Sequence, residues 1–247
     1  MFAVLNHYKR KPDKVVNLLK EQGVTPVVFT DPTDYYAKRN SIDRYTGLSG
    51  NYLNIMEHKT EDKWKVIVHD DIAVIPDLVN KIEHILEFAP DAIVSFYNPT
   101  NLGYQNTAES GKHVMTTYSN FWSQCHAIPT ELSYEFAEWC REHVKPFGYL
   151  AEDGMVHCWA TMTNRKIYAV VPSLAQHDGY AQSIFKNPAK AGKYFRYSET
   201  YNPSFNVELI DWQAEFADPY PENKRRSNFD GIDGQMKNVV HSKSSQA

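Results

Sequence analysis

The sequence predicts an α/β fold built on a buried sheet with parallel strands. Short β-branched runs such as Lys65-Val66-Ile67-Val68 stop abruptly at polar or acidic residues, as buried parallel strands do. Helix start and stop signals lie between these runs. The chain also opens on a strand, a helix, a second strand and a polar tip, which is the α/β pattern. With 247 residues, 42% of them apolar and 23% charged, there is material for one such domain with or without a small appendage.

Phe2 to Leu5 reads as the first strand and ends at the polar cluster Asn6-His7-Tyr8-Lys9-Arg10. Pro12 opens a helix through Leu19, and Gly23 lies just past its end. Thr25 to Phe29 is a second strand, ending at Thr30-Asp31-Pro32. Tyr35 to Gly50 is polar and aromatic and reads as a loop, and Ser49 caps a helix from Asn51 to about His58. Trp64 to Val68 is the third strand, tipped by His69-Asp70-Asp71. Pro76 and Asp77 start a helix through Phe88, and Ala92 to Phe96 is a further strand. A long polar loop reaches about His113, a length that points to function or disorder. Phe121 to Ile128 reads as a strand, and Pro129-Thr130 starts a helix through His143. Ala151-Glu152-Asp153-Gly154 opens a helix to about Thr161, and Lys166 to Val171 is the last strand, followed by Pro172 and then His177-Asp178-Gly179. Beyond Tyr180 the pattern decays, and His241 to Ala247 reads as disordered. There is no internal repeat.

The formal charge of -4 argues against a protein that coats itself in nucleic acid, while leaving room for a local basic groove. The 3 cysteines, Cys125, Cys140 and Cys158, are odd in number and lack metal-ligand spacing. They read as reduced thiols in a cytoplasmic protein. The first residues lack the charged region and apolar stretch of a signal peptide, and no window has the length of a transmembrane helix.

Three clusters mark the ends of apolar segments: His69-Asp70-Asp71, Glu152-Asp153 and His177-Asp178. Adjacent carboxylates repel unless a cation or hydrogen-bond donors neutralise them. Hard oxygen ligands suit Mg²⁺ or Mn²⁺, which keep waters and bridge to substrate phosphates. The acidic end of a strand is also where open α/β sheets bind ligands. The competing readings are structural: a helix cap at Asp70-Asp71, a charged first helical turn at Glu152-Asp153, and a loop histidine at His177. Arg10, Lys38, Arg39 and Arg44 are candidates for phosphate contacts, against the ordinary reading of solvated charges. The basic, aromatic tract from Lys186 to Tyr197 reads as a lid, an anionic-acceptor arm or a solvated segment. Trp122 and Trp139 are candidates to pack an acceptor sugar, although Trp139 shares a helical apolar face with Phe136.

The order of these motifs resembles the nucleotide-sugar-dependent glycosyltransferases of the GT-A type, such as families 2 and 25. The likeness spans about Phe2 to Ser183. Val68-His69-Asp70-Asp71-Ile72 through Ile75-Pro76-Asp77-Leu78-Val79 matches the aspartate-rich strand end that precedes a proline and a helix. His69 departs from the pattern, where many members carry an acid. The resemblance implies a Rossmann-like, mixed but mostly parallel sheet flanked by helices, a catalytic domain over 1–183 and an irregular C-terminal extension over 184–247. It further implies Mn²⁺ or Mg²⁺ at Asp71 and His177. The nucleotide-sugar donor, a UDP-sugar first among them, would lie over Asn6, His7, Tyr8, Asp31, His69 and Asp70. Asp153, or Glu152, would take the acceptor's proton in an inverting transfer. The acceptor hydroxyl would belong to a glycan or to a hydroxylated DNA base. Two rival functions are a nucleotidyltransferase and a non-catalytic sugar- or nucleic-acid-binding module. The first is disfavoured because no glycine-rich loop follows the first strand. The second is disfavoured because all three acidic clusters are present.

Overall fold

The first strand is buried throughout, and its side chains alternate between two clusters. Phe2 and Val4 face one hydrophobic cluster, and Ala3 and Leu5 face another. A sheet strand sends successive side chains to opposite faces, so this strand is covered on both sides. The structure is a computed structural model that describes residues 1–8, 10–31, 48–98, 102–117, 121–144, 152–177, 198 and 200–221.

The elements in chain order are β1 (Phe2–Asn6), α1 (Asp13–Glu21), β2 (Val27–Thr30), α2 (Leu48–Glu57), β3 (Trp64–His69), β4 (Ile72–Val74), α3 (Leu78–Phe88), β5 (Ile93–Ser95) and α4 (Leu102–Glu109). There follow β6 (Val114–Thr117), β7 (Cys125–Pro129), α5 (Thr130–Trp139), which continues as a π-helical turn over Cys140–Val144, α6 (Glu152–Thr163), β8 (Ile167–Val170), β9 (Ala175–His177), a 3₁₀ turn Val207–Leu209, and α7 (Trp212–Ala217).

Seven strands form one sheet in the order β2-β1-β3-β7-β5-β8-β6. β2, β1, β3, β5 and β8 run one way, while β7 and β6 oppose them. This is the mixed, mostly parallel sheet that the sequence led us to expect. One face buries α1, α3 and α7 through Val15, Leu19, Ile82, Ile85 and Trp212. The other buries α2, α5 and α6 through Tyr52, Phe136, Met155 and Trp159.

Several expectations need correction. Asp70 and Asp71 do not cap a helix: they form the turn between β3 and β4, and the next helix begins only at Leu78, after Asp77 at φ 57°. The apolar run Ile72–Val74 is a strand that leaves the main sheet and pairs antiparallel with β9. Three-residue strands are too short to show a period, which hides both partners in the sequence. The stretch expected as loop up to His113 contains α4, whose apolar residues lack a strong helical stripe. The strand expected from Phe121 begins at Cys125.

The chain after Ser198 contributes to the core. Val207, Trp212 and Phe216 join the cluster of α1 and α3. The Glu215 carboxylate accepts the backbone N–H groups of His113 and Val114 at 2.7 and 3.1 Å, which secures the edge strand β6. The three cysteines are free and buried. Lys38, Arg39, Arg44, Asp178 and the tract 186–197 lie outside the described residues.

Candidate functional site

The sheet order puts the ends of β2, β1 and β3 side by side. Leu5 pairs with His69 and Asn6 with Thr30, so the residues just after the three strands share one edge. The turn after β1 and the turn after β3 are then tied together. Asp70 donates its N–H to Leu5 O at 3.1 Å, and its Oδ2 accepts the His7 N–H at 2.9 Å. The Arg10 N–H in turn reaches His7 O at 2.8 Å, which curls the polar cluster back over the carboxylates.

Arg10 lies at the centre. Its Nη1 is 2.7 Å from Asp70 Oδ1 and 2.7 Å from Asp71 Oδ2. The two adjacent carboxylates are therefore neutralised in part by one guanidinium. From the other side, His177 on β9 brings Nε2 to 3.5 Å from Asp71 Oδ2. The β4–β9 register explains the approach, since Ile72 pairs with His177 and Asp71 precedes it by one residue.

The two acids differ. Both oxygens of Asp70 are occupied by the loop, one by the His7 N–H and one by Arg10. Burial pushes the Asp70 carboxyl upward. Burial acts the same way on Asp71, but the His177 hydrogen bond and the charges of Arg10, His69 and His177 outweigh it and hold that carboxyl well below the usual range. Asp71 Oδ1 is buried and has no hydrogen-bond partner among the described residues. An ionised acid with a vacant buried oxygen is a candidate cation ligand.

Among the described residues no group of three or more His, Cys, Asp or Glu stands ready to hold a metal ion alone. Asp71 and His177 offer one carboxylate oxygen and one imidazole nitrogen. An oxygen of Asp71 is the kind of ligand that Mn²⁺ or Mg²⁺ takes, with water and substrate phosphate completing the shell.

The expected nucleotide-binding residues are gathered at the same edge. Asn6 Nδ2 donates to Thr30 Oγ1 at 3.0 Å, and the Asp31 N–H donates to Asn6 O at 3.0 Å. Asp31 and His7 are buried, and the half-buried Tyr8 ring lies 4.7 Å from the His7 ring. His69 is buried at the tip of β3, with its backbone N–H on Gln124 O at 2.9 Å.

The second acidic cluster opens α6. Glu152 is buried and accepts Ser123 Oγ–H at 3.0 Å. Asp153 is half-buried and takes the Gly154 N–H at 2.8 Å through Oδ1. Beside them is a polar network that the sequence did not announce. Tyr52 OH is 2.8 Å from His126 Nε2, and His126 Nδ1 is 2.8 Å from Ser123 O. Burial pushes the Tyr52 phenol well up, and the charges of Glu152 and Asp153 add to it. Burial also holds His126 down at about 3, with the His69 charge acting in the same direction. Ser123 joins His126 to the start of α6, its carbonyl meeting His126 Nδ1 and its hydroxyl donating to Glu152. Position 126 lies inside an expected strand, and no motif singles it out.

Trp139 stacks on His143 at 5.0 Å on the outer end of α5, and Trp122 packs against the core cluster.

No family's sequence profile matches this chain. No curated protein matches it either. Among solved structures it is similar to mouse xyloside xylosyltransferase 1 in its apo form, at 14% identity and a TM-score of 0.32, over 65% of this chain and 69% of that one. No helix among the described residues is long and apolar enough to cross a membrane.

Proposed function

We propose that this chain is a metal-dependent glycosyltransferase that moves a sugar from a nucleotide-sugar donor, a UDP-sugar first among them, to an acceptor hydroxyl. One observation carries the reading: Asp71, kept ionised and with a buried vacant oxygen, meets His177 from a distant strand beside the tips of β1 and β2.

In this account Asn6, His7, Tyr8 and Asp31 hold the base and ribose, with Tyr8 as the ring available for stacking. His69 and Asp70 shape the floor, and Asp70 fixes the β1 turn through its contacts to His7 and Arg10. Asp71 and His177 would hold Mn²⁺ or Mg²⁺, which when bound stabilises the charge that builds on the leaving diphosphate. Asp153 removes the acceptor's proton as the donor carbon is attacked, which gives inversion. Its half-buried position favours it over Glu152, whose carboxylate is buried against Ser123. Glu152 then positions the start of α6.

A panel of nucleotide sugars assayed for transfer and slow hydrolysis with Mn²⁺ tests the reading. Wild type should release nucleoside diphosphate from at least one donor. Asp71→Asn should lower that release by 100-fold or more, the scale on order of losing a preorganised electrostatic contact, with an unchanged circular dichroism spectrum. Full release by Asp71→Asn in EDTA would refute the reading.

A further inference from the structure

We propose that Arg10 is a tethered cation that competes with the divalent metal for the Asp70–Asp71 pair, so that metal and diphosphate enter the site as a unit. The inference rests on the metal-binding reading above and adds a gate to it.

The geometry supplies the argument. A single nitrogen, Arg10 Nη1, bridges Asp70 Oδ1 and Asp71 Oδ2 at 2.7 Å each. That is the bridging place a positive charge must take between two adjacent acids. His177 approaches the same Oδ2, and the vacant Oδ1 belongs to the same carboxylate, so a cation held by Asp71 meets Arg10 at close range. Two cations there repel each other. Arg10 must then either exclude the metal or move.

Charge balance decides which. Asp70, Asp71 and Arg10 sum to one negative charge. A divalent ion turns this to one positive, an unfavourable state in a largely buried place. A diphosphate brings the missing negative charge and offers Arg10 a new bidentate partner. Arg10 sits in a turn closed by its own N–H on His7 O, so its side chain can swing while its backbone stays anchored. Metal binding without nucleotide is therefore weak, and nucleotide strengthens it beyond simple chelation. By linkage, the metal strengthens nucleotide binding by the same factor.

Lys11 is the control. It is exposed and follows Arg10 directly, so Lys11→Gln removes an equal charge without touching the bridge.

The test is Mn²⁺ binding followed by electron paramagnetic resonance, with UDP absent or saturating, on wild type, Arg10→Gln, Lys11→Gln and Asp71→Asn. Arg10→Gln should bind Mn²⁺ without UDP roughly tenfold or more tightly than wild type, the worth of one charge-assisted hydrogen bond. Lys11→Gln should match wild type. The factor by which UDP strengthens Mn²⁺ binding should be smaller in Arg10→Gln than in wild type. Equal Mn²⁺ affinity in wild type and Arg10→Gln, with binding lost in Asp71→Asn, would overturn the gate and leave the metal site standing. Absence of Mn²⁺ binding in wild type with UDP would overturn both. A crystal structure of wild type with Mn²⁺ and UDP needs no variant: Arg10 should have left Asp71 Oδ2, and an unchanged 2.7 Å contact beside a bound Mn²⁺ would refute the gate.

Discussion

Two neighbouring acids begin α6, and their surroundings differ. Glu152 is buried on Ser123, whereas Asp153 is half-buried and accepts the N–H of Gly154. Asp153→Asn keeps the shape and removes the proton acceptor we propose, so turnover should fall by about 10²–10⁴-fold with little change in donor affinity. Steady-state kinetics with donor and acceptor varied separately will check this. Near wild-type turnover in Asp153→Asn, with a large loss in Glu152→Gln, would exchange the roles. At the same scale, the sequence exposed Asp71 and His177 as candidates because each follows an apolar run. It gave no means of ranking Arg10 above other cations, since its partners lie 60 and 61 residues away. Only the pairing of β1 with β3 brings them together.

At the level of elements, the apolar strands β1 and β3 were legible, because burial on both faces leaves a continuous apolar run. The β4–β9 ribbon was not legible, although it delivers His177 to Asp71. Its strands are three residues each and are defined by each other, not by local pattern. The same holds for the bridge between α2, β7 and α6. Tyr52, His126 and Ser123 look like ordinary core positions until their hydrogen bonds are drawn. This bridge carries a pH signature. His126 is held at about 3 in the folded chain, against about 6.5 when unfolded. Between these values the unfolded state binds a proton that the folded state refuses. Stability must therefore fall as the pH drops from about 6.5 toward 3, with a slope of up to about 1.4 kcal/mol per pH unit from this group. Urea denaturation at a series of pH values should show that slope in wild type and a shallower one in His126→Gln. Equal slopes would remove His126 as the cause.

For the whole molecule, the sheet serves as a rigid frame that fixes one edge. Helices on both faces bury its inner strands, α7 ties the far strand β6 through Glu215, and the ends of β2, β1 and β3 lie side by side. Binding at that edge should stabilise the fold as a unit. The central claim is that this edge holds a divalent cation and a nucleoside diphosphate together. Crystals of wild type grown with Mn²⁺ and UDP, measured at a wavelength where manganese scatters anomalously, test it most directly. The account predicts one anomalous peak within about 2.3 Å of a carboxylate oxygen of Asp71, with His177 and the diphosphate beside it and the base over Asn6 to Tyr8 and Asp31. A nucleotide bound elsewhere, for instance against Trp139, or a diphosphate seated at this edge with no manganese on Asp71, would contradict it.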